Sequence, residues 1–201
     1  MTKNAVIYLS SLVVAIIILS ISVIGMYNSL QYKDELVSSS WAEVTNQYQR
    51  RADLIPSLVA VVKGYASHEK ETLEGVAQAR ASATAINITP ALINDPKAMA
   101  KFQQVQGDLT NSLSKLMMVQ EKYPDLKADK QFQGLQSQIE GTENRITVAR
   151  NRYIAAVNTW DLQVRQFPSN LVASSFGYTT KAQFSVENAS AASVAPKINF
   201  N

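Results

Sequence analysis

The feature that most constrains this chain is a long apolar stretch close to its first residue. The run from Ala5 to Met26 contains 22 residues, and no charged side chain occurs between residues 4 and 31. As a helix rising 1.5 Å per residue it would be about 33 Å long, enough for a hydrocarbon core of about 30 Å. The stretch therefore predicts a transmembrane anchor at residues 5–26, within an N-terminal region 1–28.

A cleaved signal peptide is the alternative interpretation. Its apolar region would be roughly 7–15 residues long and would be followed by small residues at a cleavage site. Here the run is longer, and the following IGMYNSL contains no A-x-A pattern. We therefore expect an uncleaved, single-pass anchor. Lys3 precedes the run and Lys33 follows it, so the positive-inside rule favours the outer side for the soluble part by a small margin.

Composition excludes several classes of site. The chain has 201 residues and no cysteine, which removes disulfides, thiolate metal sites and a catalytic thiol. The 19 basic and 16 acidic residues are spread along the sequence, so no nucleic-acid-binding arm is expected. His68 is the single histidine, and no phosphate-binding glycine motif is present. We expect no cofactor, no metal and no enzyme activity.

After Leu30, apolar residues recur every three or four positions, which is typical of helices packed along a seam. The pattern predicts a first helix continuous with the anchor and ending near residues 64–66. A second helix is expected over 67–86, with Ser67 as its N-cap. The third is expected to begin at Asp95–Pro96 and to stop at Pro124, and the fourth to run from about 126 to 167.

No segment before residue 168 alternates apolar and polar residues long enough to form a strand. Short connections between helices favour antiparallel neighbours. The sequence thus predicts an all-α protein in which residues 29–167 form an elongated antiparallel four-helix bundle.

The sequence RRADLIP at 50–56 places an arginine on the apolar seam of the first helix. A buried guanidinium needs carboxylate or carbonyl partners, and IEGTENR at 139–145 interrupts the apolar run of the fourth helix at about the same height. We predict a structural polar layer that fixes the register of the helices, with a ligand or catalytic site as the alternative. Its candidate members are Arg50, Arg51, Glu140, Glu143 and Asn144.

The segment 168–201 differs in composition from the rest of the chain, because it is rich in Ser, Ala and Asn. Its isolated apolar residues look like anchors packed along a partner surface, for which two neighbouring subunits are candidates: Leu171, Phe176, Tyr178, Phe184 and Val186. Disorder after Asn188 is the compositional alternative.

Several segments resemble the LemA family of bacterial proteins. The stretches that carry the resemblance are YNSL at 27–30, QYQRRADLIPSLVAVVKGYASHE at 47–69, QIEGTENRITVARNRY at 138–153 and VRQFP at 164–168. The resemblance implies an N-terminal membrane segment, a helical body and a place in the bacterial inner membrane.

The residues favour a membrane-anchored scaffold that assembles with copies of itself. Its expected partners are the lipid bilayer, through residues 5–26, and further copies of the chain; no nucleic acid is expected. An adaptor or binding module for a membrane protein, peptide or lipid, such as a membrane protease partner, is the alternative. An enzyme using the Arg/Glu cluster is the third hypothesis.

Overall fold

A computed structural model describes residues 3–86 and 89–184, and all regular secondary structure in these ranges is helical. The prediction of an all-α protein is therefore confirmed. Val186 and the expected disorder after Asn188 lie outside the described residues.

The first helix, α1, runs unbroken over Lys3–Tyr65, a length of 63 residues. It joins the predicted anchor to the soluble body in one rod about 95 Å long. Pro56 lies inside the helix and removes one backbone hydrogen bond. Among the described helices, α1 is the one whose length and composition suit a membrane crossing, and its large apolar side chains from Ile7 to Ile24 are exposed.

The second helix, α2, spans Lys70–Ala85 and begins later than predicted. Glu69, not Ser67, occupies the N-cap position and makes no capping bond with its side chain. The expectation for Ser67 was wrong because the chain first makes a turn, in which the amide of Glu69 bonds the carbonyl of Ala66.

The third helix, α3, spans Pro96–Val119 and begins at the predicted residue. The carboxylate of Asp95 accepts hydrogen bonds from the amides of Lys97 and Ala98, at 2.8 and 3.2 Å. Two short 3-10 helices flank α3, at Pro90–Asn94 and Gln120–Lys122.

The predicted fourth helix is divided into α4, Pro124–Ala128, and α5, Lys130–Arg165. Asp129 stands between them in an extended backbone conformation, and its carboxylate accepts a 2.7 Å bond from the amide of Phe132. The single-helix prediction was wrong here because a capping aspartate starts a new helix. A short helix, α6, follows at Ser169–Ser175.

Helices α1 and α5 pack side by side in antiparallel orientation and hold one register along their shared length. The side-chain contacts that mark it are Lys33–Gln163, Glu43–Arg152, Arg51–Glu143 and Tyr65–Asp129. Along about 48 Å, each advance of some residues on α1 therefore corresponds to a return of nearly the same number of residues on α5. Helix α2 packs against α3 and α1.

Two apolar clusters fill the space between these helices. The cluster nearer the predicted anchor is rich in aromatic residues, including Trp41, Phe102 and Tyr153. The distal cluster is mainly aliphatic and includes Leu58, Leu109 and Ile139, among others. The soluble body therefore has two cores stacked along its length.

Residues of the segment after α6 pack onto helices of their own chain; burial of this segment by a neighbouring subunit stays a prediction. The ring of Phe184 is buried 5.5 Å from that of Tyr153, whose hydroxyl donates a 2.6 Å bond to the carbonyl of Ala182. The indole of Trp160 donates to the carbonyl of Thr179 at 2.9 Å. These contacts make Tyr178, Ala182 and Phe184 part of the core nearer the predicted anchor.

Candidate functional site

The side chain of Arg51 lies between the two cores and is 1% exposed. The helical period brings it there, because it stands three residues after buried Tyr48 and four before buried Ile55. A charged group in such a place must be paired and hydrogen-bonded to be tolerated. Its surroundings supply those partners.

Three side chains and one main-chain carbonyl accept hydrogen bonds from the guanidinium. Nη1 donates to Oε1 of Glu143 at 2.7 Å and to Oγ1 of Thr110 at 2.8 Å. Nη2 donates to Oε1 and to the main-chain carbonyl of Gln106, at 2.6 and 3.3 Å. The guanidinium also lies 5.1 Å from the centre of the Tyr48 ring. We call Arg51, Gln106, Thr110 and Glu143 the Arg51 cluster.

Sequence reasoning named two members of this cluster and missed the two that α3 contributes. Gln106 and Thr110 are four residues apart, so they share one face of α3 toward α1 and α5. Gln103 and Gln106 are both buried in an otherwise apolar stripe. The available signal was therefore a pair of glutamines where the period of α3 calls for apolar residues.

The other predicted residues lie outside the Arg51 cluster. Arg50, Glu140 and Asn144 are all exposed, and the carboxylate of Glu140 accepts a 3.0 Å bond from Gln136 on its own helix. Arg50 is exposed because consecutive helical residues point about 100° apart, so only one of the two arginines can lie on the buried seam of α1.

A polar cavity of about 420 Å³ opens beside the Arg51 cluster, between α3 and α5. The residues lining it include Arg51, Gln103, Asp108, Asn111, Glu143 and Arg150. The side chain of Glu143 is 35% exposed, so water reaches the acidic end of the ion pair while the guanidinium stays buried. Within the described ranges, no group of three or more histidine, cysteine or acidic residues is placed to hold a metal ion.

Two further ionisable contacts lie elsewhere on α5. Burial raises the pKa of the Tyr153 hydroxyl above its usual value, and the nearby charge of Asp161 adds to the effect. At the far end, the amide of Phe132 and the hydroxyl of Tyr65 both donate to Asp129 and lower the pKa of its carboxyl group. Neither contact belongs to the Arg51 cluster.

Comparison with known proteins gives one family and two partial relatives. The model of the LemA family matches residues 40–200. Magnetosome protein MamQ 1 and Magnetosome protein MamQ 2 of Paramagnetospirillum magneticum are each 28% identical to the chain over 78 residues. The matched segment covers 39% of this chain and 29% of each relative, so it spans less than a third of their length.

Proposed function

This chain belongs to the LemA family, and we propose that it is a membrane-anchored helical scaffold that assembles with copies of itself. Residues 5–26 of α1 lie in a bacterial inner membrane, and the helices that follow form a four-helix bundle on its outer side. The Arg51 cluster has a structural role in this proposal and no catalytic one.

The observation that carries the proposal is an exposed apolar stripe along α5. Val148, Ala155 and Leu162 follow one another at intervals of seven residues, and the first and last are 49% and 60% exposed. Seven residues make nearly two helical turns, so the three side chains share one face with a drift of about 20° per step. Apolar residues at this spacing are typical of a helix that packs against another helix.

A groove beside the stripe, between α1 and α5, supports close packing of a further helix. Its volume is about 530 Å³, and its lining is mostly small or apolar: Leu36, Ser39, Ser40, Ala155, Ala156 and Thr159. At the rim, Arg152 and Glu43 form a 2.6 Å ion pair. Small side chains let two helices approach closely, while exposed leucines at the edges add apolar contact area.

A second copy of this chain suits the groove better than an unrelated helix. Every copy anchored through α1 stands in the same bilayer with the same orientation, which brings the stripes of neighbours to the same height. A two-fold interface would then place stripe against stripe. Helix α5 is about 54 Å long, and a specific interface needs about 1,000 Å² of buried surface.

The test is the molar mass of the full-length protein in mild detergent at micromolar concentration, measured by light scattering with correction for bound detergent. We expect an oligomer that Ala155→Arg dissociates, because the new charge would be buried in the interface. Met118→Arg is the matched control, since Met118 is 63% exposed on α3 and should leave the mass unchanged. A monomeric wild-type protein, or an oligomer indifferent to Ala155→Arg, would refute the proposal.

A further inference from the structure

Three large apolar side chains are exposed at the end of the body nearest the anchor. Phe167 is 75% exposed, and Leu171 and Phe176 are each 58% exposed. Phe167 lies in the turn between α5 and α6, Leu171 lies on α6, and Phe176 follows α6 directly. We call these three residues the collar.

Contacts with α1 fix the height of the collar. The ring of Phe176 lies 4.7 Å from that of Tyr27, which is the first residue after the apolar run ends at Met26. Just above, Gln31 donates a 2.5 Å bond to the hydroxyl of Tyr178. The rise from Met26 to Gln31 is about 7.5 Å. The headgroup layer on each side of the hydrocarbon core is about 5–8 Å thick, so the collar lies at the level where α1 would leave the lipid.

The chemistry around the collar suits the boundary between lipid and water. Between residues 162 and 180 the chain contains a single charged side chain, the exposed Arg165, and no acidic one. Tyrosine, here Tyr27 and Tyr178, is enriched at this depth, and phenylalanine and leucine form the apolar face of segments that lie in it. A basic group there faces lipid phosphates.

The hydroxyl groups of α6 also suit a partly dehydrated site. Ser174 and Ser175 both donate to the carbonyl of Leu171, at 3.0 and 2.8 Å, and Ser169 donates to carbonyls at the end of α5. Their polar groups are therefore paired within the chain and do not depend on bulk water.

We propose that the collar inserts into the interfacial layer of the same bilayer that α1 crosses, and so holds the body at a fixed height and rotation on the membrane. This inference rests on the anchoring of residues 5–26, which belongs to the proposed function. The occupant of the collar is lipid because the collar is continuous with the membrane segment through the contact of Phe176 with Tyr27.

The test uses single-cysteine variants, since the chain has no cysteine of its own. Leu171→Cys and Phe176→Cys report on the collar, Ile16→Cys on the anchor, and Met118→Cys on an exposed site beside Val119 in the distal core. Each full-length variant is labelled with an environment-sensitive fluorophore. It is then reconstituted into vesicles of phosphatidylcholine and phosphatidylglycerol, with or without a lipid that carries a nitroxide quencher. The quencher lies at the headgroup boundary for positions 171, 176 and 118, and deep in the acyl chain for Ile16→Cys.

We expect blue-shifted emission and loss of fluorescence to the boundary quencher at positions 171 and 176, and neither effect at position 118. Leu171→Cys is decisive, because unlike Phe176→Cys it removes no ring contact with Tyr27. Quenching at position 16 without quenching at position 171 would overturn the collar and leave the anchor intact. Absence of quenching by the deep probe at position 16 would overturn both. A blue shift at position 171 without lipid quenching would indicate a protein contact, such as a second copy, and would also overturn the collar.

Discussion

Replacing Arg51 by alanine should strongly destabilise the helical body that follows the predicted anchor. The substitution removes four hydrogen bonds that the guanidinium donates to Glu143, Thr110 and Gln106. It also removes the aliphatic stem of a side chain that is 1% exposed. The buried Oε1 of Gln106 is left without its donor, while the Gln106 carbonyl keeps the bond it accepts from the Thr110 hydroxyl. The space between the two cores is left unfilled.

The loss of folding free energy in Arg51→Ala depends on how deeply each partner is buried. Breaking a fully buried ion pair costs about 3–5 kcal/mol, chiefly because the remaining charge is stranded. Glu143 is 35% exposed beside the polar cavity, so water can hydrate it again and reduce that cost. We therefore expect a loss of about 2–4 kcal/mol. For a body of this size that corresponds to a fall in the thermal midpoint of about 5–15 °C.

The assay is thermal unfolding of the full-length protein in mild detergent, followed by near-ultraviolet circular dichroism of the buried Trp41 and Trp160. Arg50→Ala is the matched control, because it removes the same charge from the neighbouring exposed position and should change stability by less than about 0.5 kcal/mol. A double variant, Arg51→Ala with Glu143→Ala, should lose less stability than the two single variants combined, since the two groups interact directly. Equal melting of Arg51→Ala and Arg50→Ala would refute the structural role of the Arg51 cluster.

Two further predictions concern pH. Burial raises the pKa of Tyr153, so above about pH 10 the unfolded chain releases a proton that the folded chain keeps, and this group lowers stability by about 1.4 kcal/mol per pH unit. Tyr153→Phe should remove this contribution but not those of Tyr65 and Tyr178, whose pKa values are also raised. The variant should also cost about 1–2 kcal/mol at neutral pH through the lost bond to Ala182, and thermal melts at neutral and alkaline pH would measure both effects. The amide of Phe132 and the hydroxyl of Tyr65 lower the pKa of Asp129, so the ionised carboxylate stabilises the fold at pH 7 and this effect is lost as pH falls below about 4. Asp129→Ala should therefore have a lower thermal midpoint than the wild type at pH 7. The difference between the two midpoints should be smaller in thermal melts at pH 3.

The parts of the fold that sequence reasoning predicted depend on local chemistry. The continuity of α1 follows from a long stretch with few helix breakers, and the start of α3 follows from an aspartate before a proline. The break at Asp129 was missed because its capping bond is visible only in three dimensions. The packing of Phe184 onto its own chain was missed because its partners Trp41 and Tyr153 are distant in sequence.

The Arg51 cluster divides in the same way. Arg51 and Glu143 could be named as candidates from sequence because polar residues interrupt the apolar runs of two antiparallel helices at about the same height. The sequence did not decide between Arg50 and Arg51 or between Glu140 and Glu143. Gln106 and Thr110 could not be identified from sequence, because the rotation of α3 about its axis depends on how it packs against α1 and α5 together. Glutamine and threonine are also common on exposed helix faces, so neither residue type marks a buried position by itself.

The position of the Arg51 cluster suggests why a costly buried charge is kept. Apolar stripes that repeat every three or four residues fit almost as well when one helix slides by seven residues, so two long helices such as α1 and α5 need a feature that distinguishes one register from the next. A slide of α5 in one direction would place Arg150 at the height of Glu143 and set two guanidinium groups together, and a slide in the other would place Gln136 there and leave Arg51 without a carboxylate. The observed register is the one among these three that neutralises the charge. We interpret the Arg51 cluster as the feature that selects this register. The same register sets how far the turn after α5 reaches toward the predicted anchor, so in our proposal the ion pair between the two cores also sets the height of the collar.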